Sequence, residues 1–294
     1  MTVTMIDTTQ DVTPFLPALA TKGIKHISRY ITRTSDQYKV IKRPEALAIT
    51  AAGMQIIANY EGAGATPSAF TFASGLTDGR YARIYGANEL SMPPEAAVYF
   101  STEARFDSGY INSNLIPYFK GVAQAMTEQS DHPSYGVGVY SAGSVIEALV
   151  AADLVQHHWL ANAMGWPDSR KFLASGKWQI HQLPTINNFV RGLNVDPGEI
   201  NPNYTGSLGD FGSDGQIATK QPEPVTSPFS TIRRGSTGPD VVTAQTMLGI
   251  DADGDFGTET EDAVVKFQKE YDLTPNGVIG PLTWAQLQAV AQGV

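Results

Sequence analysis

Acidic side chains recur where the apolar, strand-like segments of this chain come to an end. Asp7 closes the first such segment, Glu61 follows the third, Glu103 follows the fourth and Asp196 closes the last. Glycoside hydrolysis needs a carboxylic acid to protonate the leaving oxygen, and usually a second carboxylate as base, nucleophile or electrostatic stabiliser. Crowded carboxylates raise one another's pKa values, so one of them can stay protonated near neutral pH. The pattern therefore predicts a glycosidase site, with Glu103, Asp7 and Asp196 as the catalytic candidates.

Aromatic and polar side chains accompany these carboxylates on the same segments. Aromatic rings offer flat apolar faces to sugars, and their polar tips can form hydrogen bonds. We predict that seven residues contact the substrate: Glu61, Tyr60, Arg29, Tyr140, Trp178, Gln182 and Asp107.

Each candidate also has a purely structural interpretation. An aspartate at a strand end often caps a helix or makes a turn, as Asp7 and Asp196 could. Glu61 could pair with a basic residue such as Arg29, and the aromatic candidates could belong to the core. The functional interpretation rests on the whole set, because all of these residues belong to the strands of one predicted barrel.

That barrel follows from short apolar segments that alternate with helical stretches. Buried strands alternating with helices indicate a parallel sheet, and eight such units in about 210 residues favour a closed barrel with its active site at the carboxyl ends of the strands. A doubly wound sheet would want a glycine-rich loop after its first strand, and IDTTQDVTP has no glycine. The predicted strands are Val3–Asp7, Ile24–Ile31, Met54–Tyr60, Ala96–Ser101, Gly136–Ser141, His158–Ala161, Trp178–Gln182 and Leu193–Asp196.

A composition change divides the chain. Residues 213–230, SDGQIATKQPEPVTSPFS, are rich in Pro, Ser and Thr and lack apolar periodicity, which is typical of a linker. The tail beyond it has apolar residues at helical spacing with Gly and Pro between the helices. We therefore predict an α/β fold in which a TIM-like (β/α)8 barrel, residues 1–212, is followed by a linker, 213–230, and a small three-helix domain, 231–294.

An ordered motif runs through the tail. It comprises Gly235, Val241, Leu248, the turn Asp253–Gly257 (DGDFG), Thr260, Ala263-Val264, Phe267-Gln268, Gly277, Ile279-Gly280, Thr283-Trp284 and Leu287. With these residues the tail resembles the peptidoglycan-binding domain type 1. The resemblance implies that bacterial peptidoglycan is the partner and that the groove around the DGDFG turn contacts it.

The acidic turn in the tail could be mistaken for a calcium site. Asp251, Asp253 and Asp255 resemble the start of a calcium loop, which needs Gly at its sixth position and Glu at its twelfth. Phe256 and Asp262 stand at those positions. We therefore predict a solvated turn that caps a helix.

Short motifs also recur in order through the first 200 residues. They are Ile6-Asp7, Arg29-Tyr30, VYFSTE at 98–103, GVYS at 138–141, Trp159-Leu160-Ala161, Trp178-Gln179-Ile180 with Gln182, and Asn194-Val195-Asp196. On these motifs the barrel resembles a glycoside-hydrolase-like family, long catalogued as a domain of unknown function and related to the family 25 lysozymes.

This resemblance implies that Glu103 occupies the position of the general acid and that Asp7 and Asp196 line the cleft. The lysozymes carry an Asp two residues before that Glu, where this chain has Ser101. Either Asp7, Asp196 or Glu61 takes the role of the missing acid, or the enzyme is slow or inactive.

Composition excludes several other functions. A net charge of −9 repels nucleic-acid phosphates. The chain also lacks the run of about 20 apolar residues that a membrane-spanning helix needs. The chain has no cysteine, and its histidines form no metal-binding pattern such as HExxH. No GxSxG elbow accompanies Ser141. We expect a monomer without metal or other cofactor, with peptidoglycan and not nucleic acid as its partner.

The function predicted from the sequence is a muramidase-like peptidoglycan hydrolase that its tail targets to the wall. One alternative is a non-catalytic wall-binding protein, which Ser101 favours. Another alternative is an amidase or peptidase that cleaves the stem peptide. Enzymes of that kind usually need zinc. MTVTMIDTTQ has neither the basic nor the apolar region of a signal peptide, so we expect none in it. We therefore expect a phage endolysin or a secreted lytic effector that reaches the wall by lysis, a holin or a dedicated secretion system.

Overall fold

A computed structural model describes residues 3–33, 37–62, 67–128, 132–212, 229–271, 273 and 275–291. The chain forms two compact units, one with the strands and one with the C-terminal helices. The predicted linker lies outside the described residues except for Phe229 and Ser230.

The first unit is a closed barrel. Its strands are β1 (Met5–Asp7), β2 (His26–Ile31), β3 (Gln55–Tyr60), β4 (Ala97–Ser101), β5 (Gly136–Ser141), β6 (His157–Leu160), β7 (Ile180–Gln182), β8 (Ile186–Val190) and β9 (Leu193–Ile200). The order is β1-β2-β3-β4-β5-β6-β7-β9, and β9 also pairs with β1, so eight strands close the barrel while β8 forms a hairpin on β9. The predicted α/β barrel is confirmed.

The prediction that every barrel strand is parallel is wrong for the last one. Strands β1 to β7 are parallel, but β9 runs antiparallel to both β7 and β1. The reason is the connection: β8 and a tight turn at Gly192, with φ of 88°, link β7 to β9. Parallel neighbours need a long crossover, whereas antiparallel strands can be joined by a short turn.

The direction of β9 changes the place of Asp196. The strand does not end there, as predicted, but continues to Ile200. Asp196 nevertheless pairs with Asp7, at the carboxyl end of β1, because β9 enters the barrel from that side.

Helices surround the barrel unit. They are α1 (Leu16–Thr21), α2 (Arg43–Ala51), α3 (Phe72–Asn88), α4 (Ser108–Tyr110), α5 (Ile116–Thr127), α6 (Gly143–Ala151) and α7 (Ser169–Ser175), with a π-helical segment, Ile111–Leu115, between α4 and α5. Helices α3 and α5 touch through glycine: a Cβ on Gly75 would lie 2.0 Å from the Tyr118 carbonyl oxygen. No described helix is long and apolar enough to cross a membrane.

Alternate residues of each strand face the barrel interior, because side chains on a strand have a period of two. Near the amino ends they form an apolar layer of Met5, Ile57, Tyr99, Trp159 and Ile180, which Leu208 joins from the segment after β9. Glycines make room for this layer: a Cβ on Gly138 would lie 2.7 Å from the Tyr99 ring, and one on Gly198 would lie 2.6 Å from Met5 Sδ. The inward positions nearer the carboxyl ends of the strands carry polar side chains. The apolar layer therefore fills the barrel at the amino ends, and the groups that could do chemistry lie at the carboxyl ends.

The described part of the second unit contains three helices, α8 (Pro239–Leu248), α9 (Thr258–Glu270) and α10 (Pro281–Ala291). They enclose a small core of Ile232, Val241, Ala244, Phe256, Val264, Phe267, Ile279, Trp284 and Leu287. The predicted three-helix domain is confirmed.

A buried glutamine clamps each of two equivalent turns in this unit. The Gln245 amide donates to Asp253 Oδ1 (2.7 Å) and to Thr260 Oγ1 (3.0 Å), and its oxygen accepts from the Gly254 N–H (2.9 Å). Asp253 also accepts from the Asp255 N–H (2.9 Å), so its carboxylate orders the turn. The predicted helix cap is wrong, because Gly257 is the N-cap of α9 and no side chain caps that helix.

The same arrangement recurs 23 residues later in the chain. The Gln268 amide donates to Asn276 Oδ1 (3.1 Å) and Thr283 Oγ1 (3.2 Å), and its oxygen accepts from the Gly277 N–H (3.0 Å). The three-helix unit is therefore built on a repeated module of helix, Asx-Gly turn and threonine.

Replacing either glutamine with methionine should destabilise the unit to a similar extent, because both substitutions leave the same buried groups without a partner. We expect a loss of about 1–3 kcal/mol in each case. Hydrogen exchange of peptides from residues 229–291 in the full chain measures it. Gln288→Met, at a partly exposed position on α10, is the control, and a loss at Gln245 but not at Gln268 would contradict the equivalence.

Candidate active site

Asp7 and Asp196 form a pair of carboxylates at the carboxyl end of the barrel. Their Cα atoms are partners in the β1–β9 ladder, and Asp7 is buried while Asp196 is half-buried. The Tyr30 hydroxyl donates to Asp7 Oδ2 (2.5 Å), and the Thr185 hydroxyl donates to Asp196 Oδ1. Burial, with the Asp196 charge adding to it, raises the pKa of Asp7 from 3.8 to about 7, against the opposing hydrogen bond from Tyr30.

Glu103 lies just beyond the end of β4, and part of its side chain is open to solvent. The walls of the barrel mouth nevertheless remove water from its carboxylate. This desolvation, followed by the charges of Glu61 and Asp196, raises the pKa of Glu103, while Lys39 opposes the shift. A carboxyl group that keeps its proton to higher pH and remains accessible can act as a general acid.

Glu61 follows β3 and holds a lysine at the mouth. Lys39 Nζ lies 2.8 Å from Glu61 Oε2, and the side chains are 6% and 22% exposed. The structural interpretation, that Glu61 pairs with a basic residue, is confirmed, but that residue is Lys39 and not Arg29, which pairs with Glu45. The charge of Glu61 is also one of the causes that raise the pKa of Glu103.

Tyr140 and Gln182 form the opposite wall of the mouth. The Tyr140 hydroxyl donates to Gln182 Oε1 (2.6 Å), and both side chains are half-buried. Burial raises the pKa of Tyr140, followed by the charges of Glu103, Asp7 and Asp196. The structure thus brings both residues close to the predicted catalytic carboxylates, where they remain candidates for substrate contact.

Ser101 occupies the position two residues before Glu103. It is buried, and its hydroxyl donates to Asn59 Oδ1 (2.8 Å). Both residues are on inward positions of their strands. A neutral hydrogen-bonded pair therefore stands at the position where the resemblance to the lysozymes predicted an acid.

Arg29 and Tyr60 must be removed from the predicted substrate-binding set. Both are only 1% exposed, because the inward positions of their strands belong to their neighbours. Arg29 Nε and Nη2 donate to the two carboxylate oxygens of Glu45 (2.7 and 3.1 Å), and its Nη1 donates to the Thr8 carbonyl (2.7 Å). The Tyr60 hydroxyl donates to the buried Asp78 (2.7 Å). These side chains support the strands from outside the barrel.

Trp178 is also a support residue and not an open sugar platform. Strand β7 begins at Ile180, two residues later than the predicted start, so Trp178 precedes the strand at its amino end. Its ring is 8% exposed, and its Nε1 donates to the Leu173 carbonyl (3.1 Å).

Asp107 lies in the segment that follows Glu103, at the start of α4. Its carboxylate caps α4 by accepting from the Tyr110 N–H (2.7 Å). It also lines a separate cavity of about 260 Å³ beside α6. Helix capping accounts for its position without a substrate.

Comparison with known families supports the two-part organisation. Residues 17–201 match the family described as the Rv2525c-like, glycoside hydrolase-like domain, and residues 237–287 match a peptidoglycan-binding domain. The first match covers most of the chain. The protein belongs to the Rv2525c-like family.

Solved structures show the same fold. Crystal structures of the Mycobacterium tuberculosis Tat-secreted protein Rv2525c, one with HEPES and one with L-tartrate, each align with a TM-score of 0.56 and 20% identity. Each alignment covers 68% of this chain and 96% of that protein.

Curated relatives are similar over shorter stretches. The uncharacterized protein FadG of Bacillus subtilis is 23% identical over 172 residues, and an uncharacterized protein of the bpoA1 3' region of Kitasatospora aureofaciens is 55% identical over 40 residues. These matches cover 58% and 14% of this chain. The chain spans only 30% and 34% of the length of these two relatives.

Three residues of the candidate site were not among its predicted members. Tyr30, which donates to Asp7, belongs to the Arg29-Tyr30 motif, and the alternation of side chains along β2 would have selected it over Arg29, because Tyr30 faces the barrel interior. Thr185 and Lys39 lie outside the predicted strands, where periodicity gives no signal. Among the described residues, no group of three or more His, Cys, Asp or Glu side chains is arranged to hold a metal ion.

The raised pKa of Asp7 makes the stability of the Rv2525c-like domain depend on pH. Between 3.8, the ordinary value, and about 7, folded Asp7 keeps a proton that the unfolded chain loses. The free energy of unfolding therefore falls as pH rises through this window, by about 1.4 kcal/mol for each pKa unit. Asp7→Asn keeps an acceptor for Tyr30 and should remove this dependence.

Urea unfolding of both forms, followed by tryptophan fluorescence at several pH values, measures the effect. The difference between the two forms is the relevant quantity, because burial lowers the pKa of His157, His158 and His181 in both. A constant difference between pH 4 and pH 7 would show that Asp7 does not hold a proton.

Proposed function

We propose that this protein is a peptidoglycan hydrolase that cleaves the glycan strand, in the manner of a muramidase. The observation that carries the proposal is Glu103: an accessible carboxyl with a raised pKa, set among other carboxylates at the mouth of a glycoside hydrolase-like barrel. The peptidoglycan-binding family match in the same chain supports peptidoglycan as the ligand.

In the proposed reaction, protonated Glu103 gives its proton to the glycosidic oxygen as the bond to the anomeric carbon breaks. Positive charge then develops on the sugar ring, and a carboxylate beside it lowers the energy of that state. Asp196 has this role. A water molecule supplies the hydroxyl for the anomeric carbon, and its remaining proton returns to the carboxylate set.

Asp7 lies on β1, the strand next to that of Asp196, and is more deeply buried than Asp196. The Tyr30 hydroxyl donates to one of the Asp7 oxygens. We assign it the positioning of Asp196 and of the attacking water. Tyr140 and Gln182 would contact sugar hydroxyls, since their side chains are half-buried at the same mouth.

The C-terminal unit raises the local concentration of the barrel at its substrate. Once the C-terminal unit is bound to the wall, the encounter of the barrel with the same wall is intramolecular and therefore more frequent. Small soluble fragments cannot occupy both units at once, so with them this gain in rate is lost. The proposed enzyme therefore acts on polymeric wall.

A second candidate function is non-catalytic wall binding, and Ser101 is the observation that favours it. Its hydrogen bond to Asn59 leaves a neutral pair where the related lysozymes have an acid. Under this alternative the barrel binds glycan and releases nothing.

Digestion of purified cell walls distinguishes these functions. The glycosidase proposal expects new reducing ends and, by mass spectrometry, soluble sugar-peptide fragments with intact stem peptides. Wall binding without release would support the non-catalytic alternative. Free stem peptides, or peptides cut internally, would instead identify an amidase or peptidase.

The setting is also a proposal. A wall hydrolase of this kind would act as a phage endolysin or a secreted lytic effector, after release by lysis, a holin or a dedicated secretion system. We further propose that it acts as a monomer, which light scattering of the purified protein tests.

A further inference from the structure

The second of the two glutamine-clamped turns contains the dipeptide Asn276-Gly277, the only Asn-Gly sequence in the chain. Asparagine before glycine is the position most prone to spontaneous deamidation, because glycine has no side chain to shield its backbone nitrogen. Asn276 is exposed, whereas Gly277 is buried. The asparagine is therefore open to water, while the residue whose nitrogen must attack it lies inside the unit.

Deamidation begins at the backbone nitrogen of Gly277. That nitrogen gives its proton to water or hydroxide and forms a bond to Cγ of Asn276, from which ammonia leaves with a proton taken from water. The product is a five-membered succinimide. Water then opens the ring at either carbonyl and breaks one C–N bond, which gives aspartate or isoaspartate. In sum, the carboxamide and one water become a carboxyl group and one ammonia.

Gln268 holds both partners of this reaction. Its oxygen accepts from the Gly277 N–H (3.0 Å), and its amide donates to Asn276 Oδ1 (3.1 Å). Gln268 is 1% exposed, and its amide also donates to the Val278 carbonyl (2.9 Å) and to Thr283 Oγ1 (3.2 Å). The clamp is thus fixed by its surroundings. The attacking nitrogen is engaged as a hydrogen-bond donor, and the carbonyl that it must attack is held in place.

The first clamped turn shows how an aspartate fits this arrangement. Asp253 stands there in the place of Asn276, and its Oδ1 accepts from the Gln245 amide (2.7 Å) and from the Asp255 N–H (2.9 Å). The corresponding contacts of Asn276 also use Oδ1, which accepts from the Gln268 amide (3.1 Å) and from the N–H two residues on (2.9 Å). An aspartate at position 276 would therefore keep these bonds.

Isoaspartate has a different effect on the turn. It adds one carbon to the backbone before Gly277 and so moves the Gly277 N–H away from Gln268. The next elements of the turn are also constrained, because Ile279 forms a bridge with Ile232. A chain with isoaspartate at position 276 therefore cannot close the clamp and keep the bridge at the same time.

We propose that Asn276 is a deamidation site that the Gln268 clamp keeps closed in the folded unit. Reaction requires a local opening that frees the Gly277 N–H from Gln268. Each opening exposes the site to a reaction that cannot be reversed, because ammonia leaves. The aspartate product keeps the turn, and the isoaspartate product loses it.

The modification has a consequence for targeting, which rests on the proposed binding of peptidoglycan by the C-terminal unit. Chains with isoaspartate at position 276 should no longer be retained by cell walls. Chains with aspartate there should still be retained. Deamidation therefore limits the time for which a released protein molecule stays targeted to the wall.

Peptide mass spectrometry of the full chain, after incubation at mildly alkaline pH, measures the rate of deamidation at Asn276. In Gln268→Met the rate should exceed that of the wild type by about tenfold or more, because losing a buried hydrogen-bond partner shifts a local opening equilibrium by this order. Gln245→Met is the matched control. It removes the equivalent clamp but leaves the contacts of Gln268 in place, so its acceleration should be smaller. Equal acceleration in both variants, or none in Gln268→Met, would overturn the proposal.

Two further measurements do not depend on the folding of Gln268→Met. The wild-type chain unfolded in urea should deamidate at Asn276 about tenfold faster or more than the folded chain, since its Gly277 N–H is free. Equal rates in the two states would overturn the protection. Asn276→Asp should show the same hydrogen exchange as the wild type over residues 229–291. Lost protection in this variant would overturn the claim that the aspartate product keeps the turn.

A wall pull-down of the aged wild-type protein tests the consequence for targeting. Isoaspartate at position 276 should be enriched in the unbound fraction, and equal amounts in both fractions would overturn the loss of targeting. If fresh wild-type protein does not bind walls but the rates of deamidation are as expected, the proposed function of the C-terminal unit fails while the deamidation site stands. Wall binding with equal rates in Gln268→Met and Gln245→Met would reject the site and leave the function intact.

Discussion

Glu103→Gln is expected to lower the rate of reducing-end release from purified walls by about 10²–10⁴-fold, the usual contribution of a general acid or base. Glutamine keeps the size and hydrogen-bonding capacity of the side chain but has no proton to give. Binding to walls should survive, because the C-terminal unit is unchanged. The measurement is the initial rate of release at saturating wall, together with a pull-down of the variant on the same walls.

The pH dependence sharpens this expectation. Desolvation and the neighbouring carboxylates raise the pKa of Glu103, so its acid form persists to higher pH than in an ordinary glutamate, and activity should fall as pH rises through that pKa. Glu95→Gln is the matched control, since Glu95 is exposed near the amino end of the same strand, β4. Equal rates for wild type and Glu103→Gln would remove Glu103 from the mechanism.

Arg29→Met is expected to destabilise the barrel unit by about 3–5 kcal/mol. The substitution leaves the Glu45 carboxylate buried without its cation, and removing one member of a buried ion pair has a cost of this size. Glu45 also accepts a hydrogen bond from the Val12 N–H (3.0 Å), so the loss should reach the segment after β1. Calorimetric unfolding of the full chain, with hydrogen exchange of peptides from residues 8–16, measures both effects.

A double variant separates the ion pair from simple packing. Arg29→Met with Glu45→Met leaves no unpaired charge, and it should recover part of the stability that Arg29→Met loses. Lys171→Met is the surface control, because Lys171 is exposed, Glu147 is partly exposed and their charged atoms are 4.0 Å apart. It should cost about 0–1 kcal/mol. A loss no larger for Arg29→Met than for Lys171→Met would show that Arg29 is not a support of the barrel.

The candidate site shows where reasoning from the strand pattern succeeds. Strand ends can be read from apolar segments, so the sequence predicted that Asp7 and Glu103 lie at one end of the barrel. The same reasoning included Arg29 and Tyr60, which face outward. Strand ends were predicted without regard to side-chain parity, and a shift of one residue on a strand moves a side chain to the other face.

The catalytic proposal now depends on fewer residues than the sequence suggested. Glu103, Asp7, Asp196, Glu61, Tyr140 and Gln182 remain predictions of the site, while Arg29, Tyr60, Trp178 and Asp107 have structural roles. Ser101 still stands in place of an acid, and its bond to Asn59 shows that the position is committed to a neutral pair.

The carboxylates at strand ends, by themselves, determined the kind of chemistry to look for and the end of the barrel to examine. The alternation of segments and the ordered motif of the tail determined the two folds, because these signals are local in the chain. Only the tertiary structure decided that β9 runs antiparallel, that Asp196 pairs with Asp7 and that Lys39 holds Glu61. These three features depend on contacts between residues far apart in the sequence. The local periodicity of the chain carries no information about which charged side chains form pairs.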